Sequence, residues 1–215
     1  MPRVVGSRAL HLWSLREDVV VEVDADGREL VLRSGSGTER ISRPDPLVRE
    51  ALRRMELGPV LLANVVARID GGDEDGREER ALLVLLPVLS RLSHLMVRTL
   101  SWEDLRGPLL SVVSTRPGAV FTPVRLPAQR LIRLIGGVSL TLEKAGFALN
   151  SAVSPHRVHL HRPEAVWVVG LLAWPVTPSH ACAVLPLPPE VTWAMLNYLA
   201  AAGMTEDCEP AIAEP

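Results

Sequence analysis

Two stretches of the chain repeat the same succession of alternating apolar and polar residues followed by apolar residues at helical spacing. In the first stretch, residues 19–23 and 29–32 alternate around Asp26-Gly27. An Asp-Gly pair between two such runs predicts a tight hairpin, because glycine accepts the positive φ of the turn. A third strand is predicted at 38–42, and Pro46 then begins a helix with apolar residues at positions 47, 48, 51, 52 and 55.

Residues 60–69 are predicted as a second, shorter helix, and the charged, glycine-rich segment 70–80 as a solvated loop. A third helix is predicted to run from residue 78 to about residue 93, with a kink at Pro87. Residues 95–100 and 109–113 are then expected to pair as two strands, in the manner of the wing of a winged helix.

The second stretch, residues 146–204, predicts a hairpin followed by three helices. Residues 147–149 and 158–160 alternate on either side of Ser154-Pro155, a turn signal. Helices are predicted to begin at Pro163, at Thr177 or Ser179, and at Pro189, because proline is tolerated in the first helical turn and hydroxyl residues cap it. This succession indicates a winged-helix type of unit, and no catalytic constellation is visible within it.

The two stretches also share residues at several corresponding positions, although the match is weak per residue. The matched positions, offset by about 117 residues, are Leu32 with Leu149, Ser34 with Ser151, Pro44 with Pro163, and Pro59-Val60 with Pro175-Val176. The sequence therefore predicts an α+β protein of two tandem winged-helix modules that arose by duplication. We expect a first module at 12–115, a proline-rich linker at 116–130, a second module at 131–204 and a flexible tail at 205–215.

The composition of the chain indicates the cellular compartment in which the protein is expected. Of the 215 residues, 47% are hydrophobic and the net charge is −2, so the chain can bury a core and has no overall attraction to nucleic acid. Cys182 and Cys208 form no redox or metal motif, and the N-terminal residues lack the apolar run of a signal peptide. We therefore expect a cytoplasmic protein that does not enter membranes.

The chain resembles the N-terminal region of SagB-type (McbC-like) azoline dehydrogenases over residues 12–204. The segments that carry the resemblance are REDVVVEVDADGRELVLRSGSG, REALRRMELGPV, RLSHLMVRTL, GPLLSVVSTRPGAVFTP, SPHRVHLHRPEA and LPLPPEVTWAMLNYLAAAGM. In that family this region is non-catalytic and consists of tandem modules similar to the RiPP recognition element. The resemblance implies that a precursor's leader peptide binds as an added strand beside the third strand, against the third helix.

The family's FMN-binding nitroreductase domain should follow at about Glu206, whereas this sequence stops at Pro215. We therefore expect no catalytic residue and no cofactor in this chain, with FMN bound only by a partner. The expected role is a non-catalytic accessory protein of azole-containing modified-peptide biosynthesis. It would bind a leader peptide or dock a flavin dehydrogenase or cyclodehydratase. Alternatives are a fragment or split subunit of the dehydrogenase, and a winged-helix DNA-binding regulator.

Leader capture would place the binding site at the edge strand 38–42 and the helix 80–93. An exposed edge strand offers unpaired N–H and C=O groups that an extended peptide can satisfy. The candidate residues are Thr38, Glu39, Arg40, Ile41, Ser42, Arg43, Leu83, Leu86 and Ser90. Arg40 and Arg43 would either pair with acidic leader residues or be ordinary solvated surface arginines. Ile41→Pro is expected to abolish strand addition. In the second module the equivalent edge is 156–161, which would bind peptide or form a homodimer contact.

Other chemistries find less support in the sequence. His156, His159 and His161, with His180 and Cys182 farther along the chain, do not have the spacing of a zinc site, so we expect no metal. The serines lack the context of a hydrolase nucleophile, and Gly136-Gly137 lacks the spacing of a phosphate loop. DNA recognition is disfavoured because residues 191–202, the second module's third helix, carry no basic residue.

Overall fold

The computed structural model describes residues 8–24, 26–66, 74–122 and 124–208, with no side chain described at 66 or 74–82. Over these residues the chain is a mixed α+β protein with six helices and antiparallel strand pairing. The strands are β1 (Ala9–Leu15), β2 (Val20–Val23), β3 (Glu29–Ser34), β4 (Gly37–Ser42), β5 (Met96–Trp102), β6 (Pro108–Ser114), β7 (Ile132–Leu134), β8 (Ser139–Glu143), β9 (Gly146–Asn150), β10 (His156–Leu160) and β11 (Thr205–Asp207). The helices are α1 (Pro46–Leu57), α2 (Leu62–Val66), α3 (Glu74–Arg91), α4 (Pro163–Leu171), α5 (Pro178–Val184) and α6 (Pro189–Ala201).

The chain divides into two compact units. Unit 1 comprises Met1–Leu10, Leu100–Val112 and Phe121–Pro215, and unit 2 comprises His11–Thr99 and Val113–Val120. The division falls within β1, β5 and β6 rather than at a single point in the sequence. Residues 100–112, which the sequence assigns to the wing of the first module, are therefore grouped with the second half of the chain.

Unit 2 contains the antiparallel sheet β2-β3-β4 and the helices α1, α2 and α3. Asp45 begins α1, where its carboxylate accepts a hydrogen bond from the backbone N–H of Leu47 at 2.8 Å. The buried residues of α1 are those that the helical spacing predicts, namely Leu47, Val48, Ala51, Leu52 and Met55. They share a core with Leu30 and Leu32 of β3 and with apolar residues of α3.

Unit 1 contains the whole of β8, β9 and β10, which form one end of a sheet with the order β1-β5-β6-β10-β9-β8. The register aligns Leu142 with Phe147 and Phe147 with Leu160, so these three residues form one row on one face. Apolar residues of this face pack with α4 and α6 in a single core. Strands β7 and β11 pair separately.

The order of elements occurs twice in the chain. Each repeat has one strand, a three-stranded meander, three helices and a final strand that pairs with the first one, over residues 9–102 and 132–207. An isolated bridge also recurs at the matched valines. Trp13 and Val60 exchange backbone hydrogen bonds of 2.9 and 2.8 Å, and Ile132 and Val176 exchange bonds of 3.0 and 2.9 Å. Val60 and Val176, which the sequence predicts to correspond, therefore make equivalent backbone hydrogen bonds.

Two local predictions need correction. The charged segment 70–80 was expected to be a loop, but α3 begins at Glu74, because four acidic and two basic residues at 74–80 are all tolerated on a helix. Residues 70–73 lie outside the described residues, as do the expected helical residues 67–69 and part of the expected tail, 209–215. The segment 156–161 is also no edge, since β10 lies between β6 and β9.

Within the part of the chain that the structure describes, no helix is long and apolar enough to cross a lipid bilayer.

Candidate functional site

Strand β4 lies at an edge of the three-stranded sheet of unit 2, as the sequence predicts. The backbone N–H of Arg43 donates to the carbonyl of Arg28 at 2.7 Å, which establishes the phase of the β3–β4 ladder. Because hydrogen-bonded and non-hydrogen-bonded pairs alternate in antiparallel strands, Glu39 and Ile41 bond to β3. The backbone groups of Thr38, Arg40 and Ser42 therefore point away from the sheet, where an added strand would pair with them.

One outward group already has a partner from α3. The Arg91 guanidinium donates a hydrogen bond of 3.2 Å to the carbonyl oxygen of Arg40. Nearby, Nε2 of His94 lies 3.6 Å from a carboxylate oxygen of Glu39. Helix α3 therefore ends beside the β4 edge, and an added strand that pairs with Arg40 has to displace the Arg91 side chain.

The two arginines on this edge differ in their surroundings. Arg40 donates a hydrogen bond of 3.1 Å to the Glu29 carboxylate, which also accepts one from the Ser42 hydroxyl at 3.1 Å. Arg43 is exposed and forms no ion pair with the described residues, and its backbone has a φ of 49°. Such a left-handed conformation is costly for a residue with a long side chain and is common near binding sites. Arg43 is therefore the available cation at this edge.

The other predicted residues are distributed over both faces. Ile41 is only 7% exposed and belongs to the core of unit 2, so it anchors β4 instead of contacting a guest peptide. Leu83 and Ser90 of α3 are exposed, whereas Leu86 is half-buried against the core. Leu83 and Arg91 are eight residues apart, which places them about 80° apart around the helix, on its side away from the buried Leu85 and Leu89. Arg91 was missed by the sequence reasoning, although its spacing from Leu83 and Pro87 was a usable signal.

The second repeat presents a different edge. Strand β10 is central, and β8, which the sequence reasoning did not identify, is the terminal strand of the sheet. The alternation of Leu140 and Leu142 before the Lys144-Ala145-Gly146 turn was the signal that could have revealed it.

The histidines of the second repeat lie on and directly after β10. The rings of His159 and His161 stack with centroids 6.4 Å apart, and Nε2 of His161 lies 2.8 Å from the Ser111 hydroxyl. The imidazole of His156 is instead buried and meets the ring of Phe121 edge to face. Burial lowers the pKa of all three histidines, with a further contribution from Arg157 at His159 and from His159 at His161.

These lowered pKa values predict that acid destabilises unit 1. The unfolded chain takes up protons near the ordinary histidine pKa of 6.5, whereas the folded chain resists them. The contribution of these histidines to the free energy of unfolding is therefore fully present above pH 6.5. It declines below that pH, by at most about 1.4 kcal/mol per pH unit for each histidine. Urea unfolding from pH 7.5 to 5.0 measures this decline. We expect His156→Leu to flatten the profile and His180→Ala, at an exposed position, to leave it as in the wild type; an unchanged slope in His156→Leu contradicts the assignment.

Among the described residues, no group of three or more histidine, cysteine or acidic side chains is arranged to hold a metal ion. Cys182 and Cys208 are free thiols, and burial raises the pKa of Cys182. A raised pKa disfavours the reactive thiolate form of Cys182.

The sequence matches no protein-family model, and no curated protein matches it.

Proposed function

We propose that this chain is a non-catalytic peptide-binding protein that adds an extended segment to the outer edge of β4, where the segment would displace the Arg91 side chain. The observation that supports the proposal is the set of outward backbone groups at Thr38, Arg40 and Ser42, on a strand whose other side is paired. Main-chain hydrogen bonds give such a site affinity with little dependence on sequence, and neighbouring side chains give selectivity.

The surroundings of β4 indicate what kind of peptide fits. A guest residue opposite Glu39 or Ile41 would project its side chain toward the helices, where Leu83 is exposed on α3. A guest carboxylate near the end of the strand would meet Arg43, which is exposed and forms no ion pair with the described residues. An extended peptide with apolar residues at alternate positions and an acidic residue is therefore the expected ligand.

The biosynthetic setting is part of the same proposal. The three-stranded meander and three helices of each repeat are interpreted as a winged-helix module similar to a RiPP recognition element. On that interpretation the ligand is the leader of a precursor that is converted into an azole-containing peptide. A separate protein, a flavin dehydrogenase that binds FMN or a cyclodehydratase, would then carry out the chemistry.

Proline substitution on β4 tests the proposal. Arg40→Pro removes one outward N–H and leaves the β3–β4 ladder intact, because the backbone groups of Arg40 face away from β3. We expect it to weaken binding of a peptide selected from a phage-displayed linear library by at least about ten-fold, or about 1.4 kcal/mol. Fluorescence anisotropy with the full chain measures this loss.

The matched control is Arg40→Ala, which also loses the guanidinium but keeps the N–H, and should bind within about three-fold of the wild type, since exposed ion pairs contribute little. Ile41→Pro is not a useful test, because Ile41 is buried and bonds to β3, so proline there would disrupt the sheet itself. Unchanged affinity in a folded Arg40→Pro variant would rule out β4 as the binding edge.

A further inference from the structure

Strand β8 in unit 1 is a second edge with unused hydrogen-bonding groups. Glu143 and Gly146 flank the two-residue turn of the β8–β9 hairpin, so they form a hydrogen-bonded pair. In this arrangement the backbone groups of Gly146 bond to β8, so those of His161, which lies opposite Gly146, should bond on the other side, to β6. The hydrogen bond of 2.9 Å from the N–H of His161 to the carbonyl of Leu109 agrees with this. The backbone groups of Leu140 and Leu142 then point away from the sheet, and they bond to none of the described residues.

All five side chains of β8 are exposed, although two of them are leucines on the core-facing side of the sheet. Leu142 is 72% exposed, while Phe147 and Leu160, the next members of its row, are progressively buried. The helices thus cover β10 and β9 on this face and leave β8 uncovered.

An apolar groove begins where this cover ends. Its volume is about 280 Å³, and its lining includes Phe147, Leu160, Pro163, Val166 and Trp167. The side chain of Trp167 on α4 is 46% exposed, which is unusual for so large an apolar group. The groove therefore lies on the face on which a strand added to β8 would place alternate side chains.

Charges around the groove restrict the guest further. The one charged residue in its lining, Arg162, is held by hydrogen bonds to Asp104 and Glu164, so the groove favours uncharged side chains. At the end of β8, Glu143 pairs with Arg157, whereas Lys144 is exposed and forms no ion pair with the described residues. A guest carboxylate would complement that ammonium group.

We propose that β8 and this groove bind an extended segment of a separate polypeptide, antiparallel to β8. Two apolar guest residues separated by one residue would lie opposite Leu142 and Leu140, with their side chains toward Trp167. An acidic residue two positions before the first of them would lie beside Lys144. This inference concerns a site in unit 1 and does not depend on the β4 edge.

The size of the site favours a short peptide segment over a second copy of the chain. Five residues of strand span about 17 Å, and a band of that length buries roughly 200–300 Å² on each side. A stable homodimer needs about 800 Å² per partner. The exposed apolar surface is thus matched to one short strand.

A dye-labelled octapeptide provides the probe, with glutamate first, leucine third and fifth, and serine or threonine elsewhere. Saturable binding to the full-length wild-type protein, measured by fluorescence anisotropy, is the expected result. N-methylation of both leucines should abolish it, because the N–H groups of those residues would bond to β8. N-methylation of the residue between them should leave affinity within about two-fold, since that N–H faces away.

Variants of the protein locate the binding. Trp167→Ala should weaken affinity at least about five-fold by removing the wall of the groove, and Leu142→Pro should do the same by removing an outward N–H. Trp174→Ala is the matched control, because Trp174 is also an exposed tryptophan, 71% accessible, but does not line the groove. Circular dichroism confirms that each variant is folded.

Several results would overturn the proposal. They are no saturable binding of the octapeptide, equal losses in Trp167→Ala and Trp174→Ala, or equal effects of the two N-methylation patterns. A homodimer of the wild type that Leu142→Pro dissociates would assign the edge to a second copy instead. If binding is lost in Arg40→Pro and retained in Leu142→Pro, the octapeptide binds at β4 and not at β8. The proposal for β8 and the proposal for β4 can therefore be refuted independently of each other.

Discussion

Arg162→Ala is expected to lower the free energy of unfolding of unit 1 by about 3–5 kcal/mol, the largest effect we predict for a single side chain. The Arg162 guanidinium donates two hydrogen bonds to Asp104, at 3.0 and 2.9 Å, and two to Glu164, at 3.3 and 2.6 Å. Its side chain is only 9% exposed, so alanine would leave two carboxylates largely buried without their main partner. Urea unfolding of the full chain, followed by tryptophan fluorescence and circular dichroism, measures the loss.

Arg106→Ala is the matched control for this prediction. Arg106 contacts the same two carboxylates, but its side chain is 63% exposed. Exposed ion pairs contribute about 0–1 kcal/mol, so this variant should remain close to the wild type. Equal losses in Arg106→Ala and Arg162→Ala, or no loss in either, would contradict the account of Arg162 as a buried connection.

The same cluster makes the wild type sensitive to strong acid. Burial opposes the charge of Asp104, but hydrogen bonds from Arg162 and Arg106 outweigh it and hold the pKa of Asp104 well below its usual value of 3.8. The hydrogen bonds from Arg162 likewise lower the pKa of Glu164 from 4.5. A carboxylate whose pKa is lower in the folded state adds stability above its unfolded pKa and loses it as the pH falls. The contribution of the cluster should therefore begin to decline as the pH falls below about 4 and be lost only at still lower pH, where the folded-state carboxylates take up protons. Arg162→Ala should flatten that part of the profile.

Gly146→Ala is expected to destabilise unit 1 by at least about 3 kcal/mol. A Cβ atom at position 146 would lie 2.2 Å from the carbonyl oxygen of Leu160, and the backbone φ of 129° is itself unfavourable for alanine. The clash is with backbone of the neighbouring strand, so relief would require β9 and β10 to separate. Thermal and urea unfolding measure the loss.

Gly136→Ala is the control for Gly146→Ala. A Cβ at position 136 would meet no atom within 4 Å, and the residue is exposed with no positive φ. This variant should be as stable as the wild type or slightly more stable, because alanine restricts the unfolded chain. Wild-type stability in Gly146→Ala would show that the two strands approach each other less closely at this point.

The two candidate edges would select guests by different means. At β4 the outward backbone groups alternate with side chains that face the helices, and Arg91 already occupies the Arg40 carbonyl. At β8 the outward groups and the core-facing side chains belong to the same residues, Leu140 and Leu142. A guest on β8 would therefore place apolar side chains directly opposite these leucines, whereas a guest on β4 would place them between its hydrogen-bonded positions.

Local patterns in the sequence predicted the elements that depend on neighbouring residues. The spacing of Leu47, Val48, Ala51, Leu52 and Met55 predicts α1, and these residues are its buried ones. The hairpin at Asp26-Gly27 and the strand after it were equally predictable, because turn geometry and alternation are local properties. The correspondence of the two stretches anticipated the repeated meander and three helices, but β1, β7 and β11 were not predicted. Residues 205–207, which the sequence analysis assigns to a flexible tail, form β11 and pair with β7.

The sequence by itself therefore determined the α+β class, most of the helices, the meander of the first repeat and its β4 edge. Tertiary structure alone decided which strands of the second repeat are central and which are terminal. Alternation reports that a strand has one buried face, but it does not report whether a distant strand pairs with its edge, as Leu109 pairs with His161. The outward phase of Arg40 and Leu142, the contact of Arg91 and the groove beside Trp167 all depend on such long-range pairing, for which short-range patterns carry no signal.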